Sequence, residues 1–422
     1  MEIQDLYKKF LECSGISIDT RTLKLDDLFV AIKGENFDGN KYALKAVDMG
    51  AKYALVDDPS LVTNNQMILV EDCLGTLQKL ANHHRKQFTG SVLAITGSNG
   101  KTTTKELVYQ VLKTHLKVQC TQGNFNNHLG VPLTLLSIEK DVDVAIIEMG
   151  ANHLGEIAAL CQIAEPTYGI ITNIGTAHIG EFGGRENIIR AKSELFDYIL
   201  KNDGQVFINK EDIVLSNMSK RFNKYLSFPN DLCIFQNSSP YVTYKNQNND
   251  LVKTNLIGLY NFLNIASAIT IGDHFGVPNH KMHEAIKSFI PDNNRSQILK
   301  LGSNTVILDA YNANPDSVKV ALNNLADFDS TRKVAVLGDM KELGIFSVAE
   351  HKKIIDHCEG LNLTNIYFVG EEYSKIKATA FQSIDKLEAF LVLNPFFDSV
   401  VLLKGSRSMA LERLTSVEEI WK

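Results

Sequence analysis

No pair among the six cysteines (13, 73, 120, 161, 233 and 358) stands in C-x-x-C spacing, and nothing in their placement resembles a disulfide framework or a zinc site. A reduced, cytosolic setting is therefore expected. Long hydrophobic runs are missing too: no apolar stretch approaches the roughly 20 residues a membrane-spanning helix needs. The opening, MEIQDLYKKFLE, is polar and amphipathic, without the apolar centre of a signal peptide. The expectation is a soluble protein with no membrane partner. Charge of one sign is also scarce. With 43 basic and 49 acidic residues and a net charge of −6, the chain lacks the cationic surplus of a general nucleic-acid or anionic-membrane surface. Internal repeats and low-complexity segments are absent. At 422 residues the chain is too long for one ordinary core, so two or three domains are expected.

What is present centres on Val92 to Leu116, VLAITGSNGKTTTKELVYQVLKTHL. Val92–Thr96 has the length and β-branched character of a buried strand, and Leu107, Val108, Val111, Leu112 and Leu116 recur at helical spacing behind it. Between them lies a phosphate loop. Gly97 and Gly100 permit the close backbone approach that a cradle of N–H groups needs, and the following helix points its positive end at bound anions. Lys101 would reach the β- and γ-phosphates, and the Thr102 hydroxyl would sit on Mg²⁺. The loop is one turn shorter than G-x-x-x-x-G-K-[ST], which would place a glycine where Ile95 stands. ATP or GTP binding is the working premise.

Three regions follow from the pattern. Residues 1–88 predict a small α/β unit, with strands at Leu28–Ile32, Ala54–Val56 and Ile68–Val70 and helices near Lys41–Met49 and Leu74–Phe88. There, Thr20, Arg21 and the loop Lys33–Gly39 offer a hydroxyl, a guanidinium and a glycine turn to a phosphate-bearing ligand, although a plain turn explains them as well. Residues 89–290 predict a mostly parallel doubly wound sheet, with further strands at Val144–Ile147 and Tyr168–Ile171. Residues 205–256 read as peripheral antiparallel strands, and His280 and His283 as surface residues. The boundary is expected at Pro291-Asp292-Asn293-Asn294, and 291–422 predicts a Rossmann-like third domain with strands at Val306–Leu308, Val334–Leu337, Ile366–Val369 and Val400–Leu403.

Ligands of such sheets collect at the carboxyl ends of strands, so the residues there carry the functional argument. Glu148, just after Ile146-Ile147, is placed to hold Mg²⁺ beside the phosphate loop. His178, in Thr172-Asn173-Ile174-Gly175-Thr176-Ala177-His178, suits either a second metal or a structural hydrogen bond; Lys192, on the helix after it, reads on spacing alone as a solvated lysine. The run Gly123–Gly130 supplies amide forks at Asn124, Asn126 and Asn127 for a peptide or phosphate, or simply a turn. In the third region, Asp309-Ala310-Tyr311-Asn312-Ala313-Asn314-Pro315, Gly338-Asp339-Met340-Lys341-Glu342-Leu343-Gly344 and Lys404-Gly405-Ser406-Arg407 converge on one binding edge.

Together these signatures, from the T-G-S-N-G-K-T-T-T loop at Thr96–Thr104 to the Asp309–Pro315 and Val336–Gly344 motifs, resemble the Mur ligases over essentially the whole chain. The resemblance implies an ATP-dependent amide ligase of peptidoglycan precursor synthesis, nearest the branch that joins D-alanyl-D-alanine to UDP-N-acetylmuramoyl-tripeptide through an acyl phosphate. It implies ATP at Gly97, Ser98, Asn99, Gly100, Lys101, Thr102 and Thr103, with Asn264, Arg295 and Asp309 on the nucleotide. Two Mg²⁺ ions are implied, at Thr102 and Glu148 and at His178 with a carbamylated Lys192. Lys101, Lys192, His178 and Arg295 would be catalytic. The uridine-diphosphate side falls on Thr20, Arg21, Lys33, Gly34, Phe37, Asp38 and Gly39, the tripeptide near Asn126 and Asn127, and the dipeptide on Tyr311, Asn312 and Asn314. Asn294 stands before Arg295 where relatives often have glycine, and Ser267 replaces the first alanine of the usual Asn-x-x-Ala-Ala. Swinging of the third domain is expected to bring in Arg295, otherwise remote from the loop. A cytoplasmic monomer is expected. A folylpolyglutamate synthase-like ligase, a phosphotransferase and a non-catalytic ATP-binding protein are the competing readings.

Overall fold

The computed structural model describes residues 1–292 and 294–422. Asn293, within the expected junction Pro291–Asn294, lies outside the described residues.

Three α/β units succeed one another along the chain. The first is a four-stranded parallel sheet in the order 15–17, 27–30, 53–56, 67–69. The second is a six-stranded parallel sheet in the order 226–228, 205–209, 168–171, 91–96, 144–148, 118–120. The third has five strands in the order 297–301, 304–309, 400–404, 333–338, 366–369, parallel except for the antiparallel edge strand Gln297–Leu301. The three-domain α/β architecture expected from the sequence is the one observed.

Side-chain alternation explains how the central sheet is covered on both faces. Val92, Ala94, Ala145 and Ile147 join one apolar cluster with helices Cys73–Gln87, Gly130–Leu136, Glu156–Ala164 and Arg185–Lys201. Leu93, Ile95, Val144 and Ile146 point the other way, into a cluster with helices Lys101–Leu112, Leu259–His274 and Asn279–Ser288. The phosphate-loop strand Ser91–Thr96 thus lies between strands 144–148 and 168–171, at the point where the chain turns from one side of the sheet to the other. The crevice at its carboxyl end is the expected ligand position.

Helix Cys73–Gln87 fastens the first unit to the second. Asp72 caps it through the N–H groups of Leu74 and Gly75. At its far end Arg85 donates to the carbonyls of Ala164 and Glu165, at 2.9 and 3.0 Å. His84 bridges Tyr7 of the opening helix, Ile3–Leu11, and the Ile138 carbonyl. One apolar cluster runs through both units without a break.

Two expectations are corrected. Residues 205–256 are not all peripheral: Gln205–Asn209 and Leu226–Phe228 extend the parallel sheet around helix Ile213–Ser219, and only 233–253 form an antiparallel three-stranded sheet. The short apolar runs look alike in both halves; burial against the central sheet, not local pattern, separates them. His283 is buried rather than at the surface, its Nδ1 2.8 Å from the Tyr244 hydroxyl, because it faces inward on helix Asn279–Ser288. His280 is exposed as expected.

Candidate active site

The phosphate loop is shaped by its neighbour strand. Gly97 has φ +145°, and a Cβ there would lie 2.0 Å from Thr172 Oγ1, so the position accepts only glycine. Thr172 Oγ1 donates to the Asn99 carbonyl at 2.6 Å, and the Asn173 side chain both accepts from Asn99 N, at 3.0 Å, and donates to Asn99 O, at 2.9 Å. Gly100, at φ +79°, starts helix Lys101–Leu112. Lys101 Nζ rests on the carbonyls of Gly97 and Ser98, at 2.7 and 3.3 Å, and its burial pulls the ammonium pKa down.

Glu148 stands directly beside this turn. Thr102 Oγ1 and Asn126 Nδ2 donate to its Oε1, at 3.2 and 2.8 Å, and Lys105, itself wholly buried, lies 4.0 Å from Oε2. Oε2 is buried with no hydrogen-bond partner. An orphaned carboxylate oxygen next to a threonine hydroxyl and a phosphate cradle fits a divalent cation completed by phosphate oxygens. No cluster of three or more His, Cys, Asp or Glu side chains capable of holding a metal by itself exists among the described residues.

His178 lies at the same crevice, at φ +59°, with Nδ1 2.9 Å from Glu342 Oε2 and 3.1 Å from Glu181 Oε2. Lys192 is only 2% exposed, with Nζ 3.5 Å from the Ala151 carbonyl and 5.6 Å from the Phe182 ring centroid. Burial, aided by the nearby Lys101 charge, pulls its pKa down to about 7. The solvated-lysine reading of Lys192 is thereby overturned.

The third unit is already docked on the loop. Asn314 Nδ2 donates to Asn99 Oδ1 at 2.6 Å, and Asp316 Oδ2 accepts from Thr176 N and Oγ1, at 2.7 and 2.9 Å. Asn314 also caps helix Pro315–Ala326 in a reciprocal pair with Ser317, which fixes its direction. Arg295 lies 3.7 Å from the Tyr311 ring centroid with its Nε buried and unpartnered, and its positive charge is near enough to repel that of Lys101. The expected remoteness of Arg295 from the loop therefore does not apply to this docked arrangement. Asn294 adopts φ +54°, which asparagine tolerates well in place of glycine, and Ser267 turns its hydroxyl back onto the Asn264 carbonyl at 2.7 Å.

These groups enclose a cleft of about 740 Å³. Ser98, Asn99, Gly100, Lys101, Thr102, Thr103, Asn126, Asn127, Glu148, His178, Asn264, Arg295, Asp309, Tyr311, Asn312 and Asn314 all line it. Asn264 is oriented by Thr104 and Asn261, and Asp309 by Lys404 at 2.8 Å and Ser296 N at 3.1 Å. Gly97 and Lys192 lie behind this lining rather than in it, and Thr20, Arg21, Lys33, Gly34, Phe37, Asp38 and Gly39 are not among its walls either. Arg21 pairs back onto Asp19 at 2.6 Å and Lys33 onto Asp57 at 2.8 Å, while Phe37 stacks on Tyr42. Sequence reasoning passed over Lys105 and Asp316, and named Asn173, Glu342 and Lys404 only within strand-end loops, without a role of their own. Lys105 and Lys404 owe their roles to burial, which local sequence does not reveal.

Three family models match in succession: the Mur ligase family catalytic domain at residues 12–90, the Mur ligase middle domain at 95–272, and the Mur ligase glutamate ligase domain at 294–407. The UDP-N-acetylmuramoyl-tripeptide–D-alanyl-D-alanine ligase of Bacillus subtilis is 31% identical over 420 residues, covering 95% of this chain and 92% of that protein. Among solved structures, MurF from Acinetobacter baumannii superposes with a TM-score of 0.87 at 30% identity, covering 99% of this chain and 98% of that one. MurF from Thermotoga maritima in complex with ADP gives 0.85 at 28% identity, covering 97% and 98%. With all three units matched in order and a relative alike from end to end, the chain belongs to the Mur ligase family.

Proposed function

We infer that the protein is an ATP-dependent ligase that joins D-alanyl-D-alanine to UDP-N-acetylmuramoyl-tripeptide in peptidoglycan precursor synthesis. The observation that carries this reading is the cleft in which a phosphate loop, the Thr102–Glu148 pair and the third-domain residues Arg295, Tyr311, Asn312 and Asn314 face one another. Its likeness to the Bacillus subtilis ligase runs the whole length of the chain, which favours this reading over a folylpolyglutamate synthase-like enzyme, a phosphotransferase or an inert binder.

In the reaction, a carboxylate oxygen of the tripeptide attacks the γ-phosphorus of ATP in line; the new P–O bond forms as the bond to the β-phosphate oxygen breaks, leaving an acyl phosphate and ADP. The dipeptide amine then attacks the acyl carbon, phosphate departs with the C–O bond electrons, and the nitrogen loses a proton. No enzyme nucleophile is needed. The protein positions three substrates and neutralises charge on phosphoryl oxygens. The loop N–H groups and Lys101 hold the phosphates, Arg295 adds its guanidinium from the third domain, and Asn264 and Asp309 face the nucleoside. Tyr311, Asn312 and Asn314 hold the dipeptide, and Asn126 and Asn127 lie toward the tripeptide. Mg²⁺, held by Thr102 and Glu148 and at a second position by His178 with Lys192, would supply Lewis-acid charge to the phosphoryl group.

Lys192 is read as carbamylated: its Nζ lone pair attacks CO₂, a C–N bond forms, and the nitrogen gives up a proton. A pKa of about 7 supports this, because the neutral amine required is abundant near neutrality. The uridine-diphosphate end is assigned to Thr20, Arg21 and the Lys33–Gly39 loop, and the domain junctions to 88/89 and 290/291. A monomer in the cytoplasm, free of nucleic-acid and membrane partners, completes the reading; no helix among the described residues is long and apolar enough to cross a membrane.

The test is phosphate release from ATP with the muramoyl tripeptide, adding and withholding D-alanyl-D-alanine. Sustained release that requires both acceptors, with a pentapeptide product by mass spectrometry, is expected. Sustained release without the dipeptide, or none with both, would reject the assignment.

A further inference from the structure

The motif Gly338–Gly344 contributes Glu342, a carboxylate with no role assigned above, which meets the His178 ring first and also faces the Asn312 side chain and the Lys101 charge. It reaches the site through an unusually close backbone seam. Gly180 N donates to the Glu342 carbonyl at 3.1 Å, and a Cβ on Gly180 would stand 2.5 Å from Gly344 N and Leu343 C. On either side of this seam, His178 at φ +59° and Glu342 at φ +66° both occupy the left-handed region, which non-glycine residues keep only where surrounding contacts impose it. The two side chains meet there, His178 Nδ1 to Glu342 Oε2 at 2.9 Å. The ring lines the cleft, and its Nε2 has no hydrogen-bond partner among the described residues.

A histidine offers a lone pair from one ring nitrogen only while the other carries the proton, and a carboxylate hydrogen-bonded to that proton fixes the tautomer and the ring plane. We propose that Glu342 is a positioning residue: on docking of the third domain it takes the Nδ1–H of His178, so that Nε2 faces the cleft as a cation ligand and the second cation position is completed only in the docked state. This rests on reading His178 as a metal ligand. Glu181, 3.1 Å from the same nitrogen, is three residues along the chain from His178 and belongs to the same domain, so docking does not deliver it. Glu342 alone arrives with the third domain. The seam thereby links closure over the substrates to assembly of the charge that the phosphoryl group needs.

The experiment uses the full-length protein saturated with a non-hydrolysable ATP analogue, with Mn²⁺ as the probe. Bound Mn²⁺ is counted by electron paramagnetic resonance, and the His178 tautomer is read from nitrogen-15 shifts of histidine-labelled protein, assigned by loss of its signals in His178→Asn. Two Mn²⁺ sites are expected in the unaltered protein and one in His178→Asn. Glu342→Ala is expected to weaken the second site by about 10- to 100-fold and to move His178 from the Nδ1–H form to a mixture, with the first site unchanged. Glu342→Gln, which keeps the side-chain size, is expected to move both readouts the same way, which separates the effect from misfolding. Asp316→Ala, which loosens the seam at Thr176, is expected to weaken the second site too. Glu342 variants that keep the second site within twofold and the tautomer intact, or Glu181→Gln alone abolishing both, would overturn the proposal. An unchanged second site in Asp316→Ala would overturn its dependence on docking. A single Mn²⁺ site in the unaltered protein, or two in His178→Asn, would instead overturn the ligand reading of His178 on which the proposal rests.

Discussion

Replacing Lys101 by methionine separates catalytic charge from structural support. Its Nζ donates to the Gly97 and Ser98 carbonyls at 2.7 and 3.3 Å, and burial pulls its pKa down. The lost charge-assisted bonds are worth roughly 1.5–3 kcal/mol each, but the ammonium's desolvation, which costs several kcal/mol, disappears with them. Methionine fills similar volume, so the melting temperature is expected to stay within about 4 °C, the shift that roughly 1 kcal/mol gives in domains of 150–250 residues. Turnover behaves differently. A unit charge about 4 Å from developing phosphoryl charge is worth roughly 4 kcal/mol at an effective dielectric of 20, which corresponds to about a thousandfold in kcat. Phosphate release with tripeptide and dipeptide, alongside a thermal melt, measures both. A kcat within tenfold of the unaltered enzyme would refute the phosphate role, and a melt lowered by about 10 °C or more would show that Lys101 supports the fold instead.

Gly97→Ala places a methyl group 2.0 Å from Thr172 Oγ1 at φ +145°, so loss of the Thr172–Asn99 bond and backbone strain should together cost roughly 2–5 kcal/mol. ADP titration calorimetry should find no binding, and normal affinity would refute the loop assignment. For Lys192, ¹³CO₂ should give a carbamate carbon resonance that Lys192→Arg lacks. Because its pKa is lowered to about 7, the neutral amine increases through neutrality, so at fixed dissolved CO₂ the signal should grow from about pH 6 to pH 8; a flat response would refute this. His84 Nε2 donates to the Ile138 carbonyl at 2.9 Å and Nδ1 lies 3.0 Å from the Tyr7 hydroxyl, and burial holds its pKa below the ordinary histidine value of about 6.5, which favours the neutral ring. Between the folded and unfolded pKa values the unfolded chain binds more protons. Stability is therefore full above about pH 6.5 and falls as pH drops toward the folded pKa. Urea midpoints at about pH 7.5 and 5.5 should differ less in His84→Gln; an unchanged difference would refute the linkage.

Local pattern exposed the elements that carry their own signal. Strand Ser91–Thr96 and the helix starting at Lys101 announced themselves by β-branched residues, two glycines and helical spacing. Glu148 was found because the strand-end rule converts sheet topology into a short list of positions. What escaped depends on contacts between residues far apart in sequence. Lys105 reads as an ordinary helix-surface lysine, yet it is wholly buried and donates to the Thr121 carbonyl at 2.7 Å. Asp316 meets Thr176 across 140 residues, and Asn314 meets Asn99 across 215. Strands Gln205–Asn209 and Leu226–Phe228 were misplaced for the same reason, since only their parallel partners distinguish them from the antiparallel strands that follow.

The two junctions of the central unit differ in chemistry, and that difference decides which neighbour can move. Toward the first unit the junction is apolar: Leu77, Leu80 and Ala81 share a continuous core with Val131, Leu135, Leu160 and Ile163. Separating it would expose that surface at roughly 25 cal/mol per Å², which opposes a free hinge. Toward the third unit the seam around the loop is polar, with Asn99 on Asn314, Thr176 on Asp316 and His178 on Glu342. Each of these groups regains a water partner on opening, so net hydrogen-bond losses are about 0.5–1.5 kcal/mol apiece. Of the two neighbours, only the third domain therefore has a junction suited to opening, as the expected swing requires. A polar seam favours the third domain as the one that parts from the loop to admit nucleotide and dipeptide, and Asn99, whose backbone shapes the phosphate loop, is also the residue that meets Asn314 of that domain.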